Sequence, residues 1–304
     1  MAINRYAYFK GKIVPIEKAK ISIMTHAFNY GTAVFEGIRG FYNKRRRTIY
    51  LFRLNDHLLR MQNNCKILKI EFPFFSVDEL GRLIAELIRK NGCREDIYIR
   101  PIAYKSRLGI GVKYSDQDSF AIFLQTVSLS DFNPLSVCIS SWRRLEHNAI
   151  PPGAKISGSY VNSYLACLEA RENGFDEAIM LTGTGKVSEG TGMNIFLVQD
   201  NKLATPPETA NILKGITRDT IMVLAKEYLN IKVVERMIRR SELYSADELF
   251  FTGTGVGIAP IGKIDHRIIG NGRIGKITSK IKKLYARIAR GGNKRFSEWR
   301  TPIQ

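Results

Sequence analysis

Several stretches of the sequence hold residue types that could do chemistry. In PPGAKISGSY (151–160), Lys155 stands between a Pro-Pro-Gly turn and a run of small residues. An ordinary lysine ammonium, with a pKa of about 10.4, becomes a nucleophile only where its charged form is disfavoured. In GKVSEGTGMNIF (185–196), Glu189 ends a short strand, and Gly190 and Gly192 let a ligand come close to the backbone. A carboxylate there needs a cation or a protonated heterocycle as partner. In LKGITRDTIMVLAKEYL (213–229), Gly215 precedes Thr217 at the start of an amphipathic helix, whose free N–H groups suit a phosphate. FFTGTGVGIAP (250–260) runs a strand into a Gly/Thr loop that can form a backbone nest for an anion. It is neither a Walker A loop nor a dinucleotide fingerprint.

The first part of the chain adds HAFNYGTAVFEGIRG (26–40), dense in aromatics and glycines, and DIYIRP (96–101). Strand alternation puts Tyr98 and Arg100 on one face. Arg60, in HLLRM (57–61), lies on a helix. Each has a plainer reading when taken alone: an exposed loop lysine, a strand-end carboxylate in water, a threonine N-cap, a buried tyrosine beside an edge arginine.

The elements that must position these residues follow from patterning. The chain has 304 residues, long for one domain, and 44% are apolar, enough for sizeable cores. YAYFKGKIV, ISIMTHAF, AVFEGIRGFY and TIYLFRL read as strands with turns. Asn55 or Asp56 caps a helix through HLLRMQNNCKIL, and Ser76 with Glu79 forms a capping box on a helix that Gly92 ends. Two strands, DIYIRPIAY and SFAIFLQTV, complete a domain over 1–127; a Ser-rich connector spans 128–135; a second domain covers 136–304. The second opens with VCISSW and a helix over 159–172. Short strands EAIMLTG, KVSEG, MNIFLVQ and KLATP follow, then the helix TRDTIMVLAKEYL, strands KVVERMI and ELFFTG, and a basic final helix. Strands and helices do not alternate strictly, so the fold class is α+β with two mixed domains rather than a doubly wound sheet.

Composition excludes other classes. Cys65, Cys93, Cys138 and Cys167 are scattered with no Cys-x-x-Cys pair, against a disulfide framework and a zinc site, and the four histidines are dispersed. No 18-residue apolar run occurs and the first residues lack a signal-peptide order, so a soluble cytoplasmic protein with no membrane partner is expected. The formal net charge of +19 raises nucleic acid as a partner. The cations are spread along the chain, however. NKRRRT (43–48) reads as a hairpin tip. Lys276, Lys280, Lys282, Lys283, Arg287 and Arg290 oppose an apolar stripe of Ile274, Ile277, Ile281, Leu284 and Ile288. That is the solvated face of a core-facing helix, and a nucleic-acid binder is the disfavoured alternative.

Taken in order, YGTAVFEGIR, YIRP, the lysine of GAK, SEG, GITRD and TGTG resemble the class IV, or fold-type IV, pyridoxal-phosphate aminotransferases, and most closely the branched-chain amino acid aminotransferases. The resemblance runs from about residue 5 to about residue 290. It implies two α/β domains of the D-amino acid aminotransferase-like architecture with the cofactor at their interface, and a homodimer or higher homo-oligomer. Lys155 matches the family's Schiff-base lysine, Tyr160 the tyrosine on the cofactor's phenolic oxygen, and Glu189 the carboxylate on its ring nitrogen. Arg60, Ile216, Thr217 and Thr254 match the phosphate cup. Tyr30, Phe35, Tyr98 and Arg100 match the substrate pocket, with Arg100 helped by the Tyr30 hydroxyl. The Thr254-Gly255 backbone matches the α-carboxylate site. The implied substrates are branched-chain amino acids and 2-oxo acids, exchanged by ping-pong transamination with 2-oxoglutarate.

Within the fold, D-amino-acid aminotransferases, (R)-amine transaminases and aminodeoxychorismate lyases share the lysine and glutamate. The Arg-x-His arrangement of the D-specific group is missing from YIRPIAYKS. The loop Gly253-Thr254-Gly255-Val256-Gly257 is richer in glycine than its relatives', and QTVSLSDF (125–132) lacks the aromatics that some place at the pocket mouth.

Overall fold

The computed structural model describes residues 5–74, 76–127 and 133–303. Its contacts divide the chain into two compact units, one of Met1–Leu129, Ala154–Gly158 and Arg287–Gln304, the other of Ser130–Gly153 and Ser159–Ala286.

The first unit opens with the hairpin β1 (Tyr6–Phe9) and β2 (Lys12–Pro15), followed by the short helix α1 (His26–Tyr30). Next come β3 (Ala33–Phe35), β4 (Ile38–Asn43) and β5 (Thr48–Phe52), then helices α2 (Leu54–Ile67) and α3 (Val77–Asn91), and the long antiparallel pair β6 (Ile97–Lys105) and β7 (Asp118–Thr126). Residues 44–47 form the turn between β4 and β5, so the basic run caps a hairpin as its composition implies. α3 carries the expected capping box, with Ser76 Oγ accepting from the Glu79 N–H and Glu79 from the Ser76 N–H, and Gly92 ends it in the left-handed region at φ 63°.

Two expectations fail here for local reasons. ISIMTHAF forms no strand: Ile21, Ile23 and Met24 are exposed, and α1 begins after Thr25 and stops at Gly31, where φ is 67°. The cap of α2 is Arg53, itself left-handed at φ 54°, with no side-chain cap bond. Asp56 is instead forked by Arg53 at 2.7 and 2.8 Å.

The second unit contains β8 (Leu135–Arg143), α4 (Tyr160–Glu172), β9 (Glu177–Leu181), β10 (Val187–Gly190), β11 (Asn194–Gln199) and β12 (Lys202–Thr205). It continues through α5 (Ile216–Glu227), β13 (Val233–Glu235), α6 (Arg240–Tyr244), β14 (Glu248–Gly253), β15 (Gly257–Ile264), β16 (Arg267–Ile268) and the start of α7 (Lys276–Ala289). Its sheet runs β10-β9-β8-β15-β14-β11-β12-β13 with β16 beside β15, and mixes parallel and antiparallel pairs. Val137, Ile179, Ile195, Leu197, Phe251 and Ile261 form its core. α5 begins after Gly215, two residues earlier than a Thr217 cap would allow. The GIAP part of FFTGTGVGIAP (257–260) lies in the strand β15, antiparallel to β14.

A last strand, β17 (Arg300–Ile303), pairs with β5 through Ile303 and Ile49. It completes the first sheet, β17-β5-β4-β6-β7-β1-β2 with β3 on β6. A second domain running unbroken from 136 to 304 therefore does not describe residues 287–304, or 154–158. The expected connector at 128–135 lies mostly outside the described residues. On α7 the stripe Ile277, Ile281, Leu284 and Ile288 is buried, while Ile274 precedes the helix and is exposed. No helix among the described residues is long and apolar enough to cross a membrane.

Candidate active site

Lys155 is fixed by its backbone. Ala154 and Ile156 on either side are buried, the Phe35 N–H donates to the Lys155 carbonyl at 3.2 Å, and Ile156 bridges Val34. Two residues beyond Ile156, the Gly158 N–H donates to the Gly31 carbonyl at 3.1 Å. A Cβ on Gly31 would lie 2.6 Å from Gly158 Cα, so close approach and the positive φ both demand glycine at 31. The small residues after Lys155 thus serve docking of residues 154–158 along 31–35.

That docking brings four expected site residues together. Lys155 Nζ lies 4.8 Å from the Phe35 ring centroid, and the Arg100 guanidinium carbon lies 4.3 Å from the same centroid. Both are within cation–π range. Alternation along β6 buries Ile97 and Ile99 and turns Tyr98 and Arg100 to the other face, where Arg100 Nη2 donates to the Tyr98 hydroxyl at 3.1 Å. Arg100 Nε is buried without a hydrogen-bond partner among the described residues. A buried unsatisfied donor on a cation is a poor structural feature and a good carboxylate ligand. Gly37 clears the space: a Cβ there would sit 1.8 Å from the Tyr98 hydroxyl oxygen.

The expected help from Tyr30 is not seen. Its hydroxyl accepts from the Gly111 N–H at 2.7 Å, because α1 ends with Tyr30 facing the 106–114 loop, and the hydroxyl on Arg100 is that of Tyr98. Arg60 enters a fork with Glu36, Nε to Oε1 at 2.6 Å and Nη2 to Oε2 at 2.9 Å.

In the second unit, Glu189 is 4% exposed. Arg144 Nε stands 2.9 Å from its Oε1 as a charge pair, off the line of an ideal hydrogen bond. Asn194 Nδ2 donates to its Oε2 at 3.0 Å, and the Leu213 N–H reaches the two oxygens at 3.1 and 3.3 Å. Asn194 Nδ2 also donates to the Leu213 carbonyl at 2.8 Å, and a Cβ on Gly215 would strike Asn194 Oδ1 at 1.9 Å. Glu189 is therefore joined to the start of α5, where Ile216 and Thr217 are buried and the cap residue, Gly215, offers no side chain to the first N–H groups. Thr254 and Gly255 lie in the turn between β14 and β15, and the strand pairing Asn194 to Thr252 keeps that turn beside β11. Tyr160 opens α4, whose first turn is tied to Arg144 by Nη1 to Ser163 Oγ at 3.3 Å.

Sequence reasoning missed Glu36, His57, Arg144 and Asn194. The signal for Glu36 was a carboxylate inside the otherwise apolar run AVFEGI, and for His57 its spacing of three from Arg60 on one helix face. Arg144, among SSWRRLEH, carried none.

Each unit taken by itself carries groups whose chemistry suits pyridoxal phosphate: an amine and a guanidinium in the first, a buried carboxylate and a helix start in the second. The family model for amino-transferase class IV matches residues 33–264. The chain belongs to that family, and its two mixed units are the fold-type IV architecture. Among its relatives, a probable branched-chain-amino-acid aminotransferase of Aquifex aeolicus is 44% identical over 301 residues, 98% of this chain and 96% of that protein. The crystal structure of the branched-chain aminotransferase of Thermoproteus uzoniensis with norvaline superposes with a TM-score of 0.93 at 40% identity, covering 98% of this chain and 99% of that one. The branched-chain amino acid aminotransferase of Thermobaculum terrenum, crystallised in its PLP form, gives a TM-score of 0.92 at 36% identity, with 100% of each chain covered.

Proposed function

We propose that the chain transfers the amino group of branched-chain L-amino acids (leucine, isoleucine, valine) to 2-oxoglutarate, giving branched 2-oxo acids and L-glutamate. The observation that carries this reading is the pair of cations on one aromatic wall: the Lys155 amine and the Arg100 guanidinium flank the Phe35 ring. The relatives' names supply the substrate class.

Pyridoxal phosphate supplies an aldehyde and an electron-accepting ring. Lys155 would hold that aldehyde, and its amine, when free, would take the Cα proton as general base. Glu189 would keep the ring nitrogen protonated, and Tyr160 would donate to the phenolic oxygen. Arg60, Ile216, Thr217 and Thr254 hold the phosphate. Phe35, Tyr30 and Tyr98 take the branched side chain, Arg100 takes the distal carboxylate of 2-oxoglutarate or glutamate through a charge-assisted bond, and the Thr254-Gly255 backbone takes the α-carboxylate. One pocket serving both substrates in turn makes the kinetics ping-pong. In an amino-donor panel against 2-oxoglutarate, L-leucine, L-isoleucine and L-valine are the expected substrates. Good turnover of D-alanine with none of these three would sink the reading.

The working unit is at least a homodimer. Its support is an apolar surface in the first unit, where Thr25 bridges Leu108 and brings exposed Phe28 (67%) into the neighbourhood of the loop bearing Ile110 (91%). Sedimentation velocity at micromolar concentration should give at least two chains per particle; a single-chain mass rejects it. The cytoplasm is the expected compartment, in line with four cysteines that form no disulfide, of which burial pushes Cys65 up to about 12 and Cys138 up to about 11.

A further inference from the structure

We infer that Glu36, seconded by His57, is the positioning residue that sets the Arg60 guanidinium for an incoming phosphate monoester. The inference rests on the reading of Arg60 as a phosphate ligand. Glu36 follows β3 and is 0% exposed, its N–H donating to the Pro101 carbonyl at 3.0 Å. His57 and Arg60 stand three apart on α2 and so present to the same place.

The carboxylate collects four donors. Arg60 Nε and Nη2 form the fork already described, His57 Nδ1 lies 2.7 Å from Oε2, and the Gly37 N–H reaches Oε2 at 3.2 Å. A two-point fork fixes the plane of a guanidinium, which one bond does not. The fork uses the Nε/Nη2 edge of the guanidinium, and Arg60 is the 15%-exposed end of the pair. Burial alone would raise the Glu36 carboxyl, but Arg60 and His57 override it and hold the group well below the usual carboxylate range. Burial lowers His57 despite Glu36, which keeps the imidazole neutral and its Nδ1–H a donor. The trio therefore offers an oriented donor with its charge balanced internally. A buried ion pair is a poor stability device compared with apolar packing, whereas fixed geometry is what it provides well.

The test uses the full-length, cofactor-stripped enzyme titrated with pyridoxal phosphate and, separately, with pyridoxal. The ratio of the two dissociation constants reads the phosphate contribution. Arg60→Met should collapse that ratio. Glu36→Gln should reduce it by about tenfold or more, as outer-shell partners do, while pyridoxal affinity stays near wild type. In the Arg60→Met background, Glu36→Gln should change nothing further. An unchanged ratio in Arg60→Met removes the phosphate reading itself. A collapsed ratio in Arg60→Met with a wild-type ratio in Glu36→Gln overturns the inference alone, as does an equal loss of both affinities. If Glu36→Gln does not fold, Glu36→Asp keeps the charge and withdraws the fork by one methylene; a wild-type ratio there is equally fatal.

Discussion

Alanine in place of Lys155 is expected to lower kcat for L-leucine with 2-oxoglutarate by at least about a thousandfold, the scale of losing a positioned general base that is also a nucleophile. The fold should survive. What pins residues 154–158 is main chain and flanking apolar groups: the Phe35 N–H on the Lys155 carbonyl, the Ile156–Val34 bridge, and buried Ala154 and Ile156. The side chain takes part in none of these. Lys155→Arg separates charge from amine chemistry, since it can keep the cation over the Phe35 ring yet cannot give up its proton at working pH. It should be as inactive as the alanine variant. Borohydride reduction followed by peptide mapping gives an independent reading: cofactor trapped on the Lys155 peptide in wild type, and none there in either variant. Label on another lysine in wild type would refute the assignment.

For Glu189→Gln the expected loss in kcat is about a hundredfold to a thousandfold, the usual effect of removing one preorganised electrostatic group. The carboxylate is surrounded by donors, namely Arg144, Asn194 Nδ2 and the Leu213 N–H. An amide presents one oxygen and one NH2 to them, so a donor faces a donor and Arg144 loses its counter-charge. Denaturant unfolding of the cofactor-stripped variant should show a loss of about 1–3 kcal/mol, from a buried polar group left badly paired. Arg144→Met should recover part of that loss when combined with Glu189→Gln, because the two share one interaction. A variant that keeps kcat within about threefold of wild type, below the range such groups command, is the result that excludes the role.

The legibility of the chain depended on distance. The β4–β5 hairpin and the α3 capping box are local devices, decided within a few residues, and the sequence displays them directly. ISIMTHAF misled because its apolar residues face outward, so composition argued for burial that tertiary structure does not supply. β17 was invisible for the opposite reason: RTPI has no period of its own and becomes a strand through Ile49 and Leu51 of β5. The site divides the same way. Tyr98 and Arg100 share a face by alternation alone, and Gly215 before α5 is a local signal. Arg144 and Glu36 depend on partners brought from elsewhere in the chain, and the Tyr30 hydroxyl meets the Gly111 N–H through a turn whose direction no residue type encodes.

The docking of residues 154–158 along 31–35 bears on how such a protein can be altered over generations. The chain leaves the first unit after Leu129, returns for five residues carrying Lys155, and departs again. A gene fragment encoding residues 130–286 would inherit Lys155 without the Gly31–Phe35 edge that holds its backbone, and one encoding residues 1–129 would inherit the edge without that lysine. Recombination near residue 130 therefore cannot trade the halves as independent modules, and Gly31 has to be inherited together with the 154–158 segment that it meets.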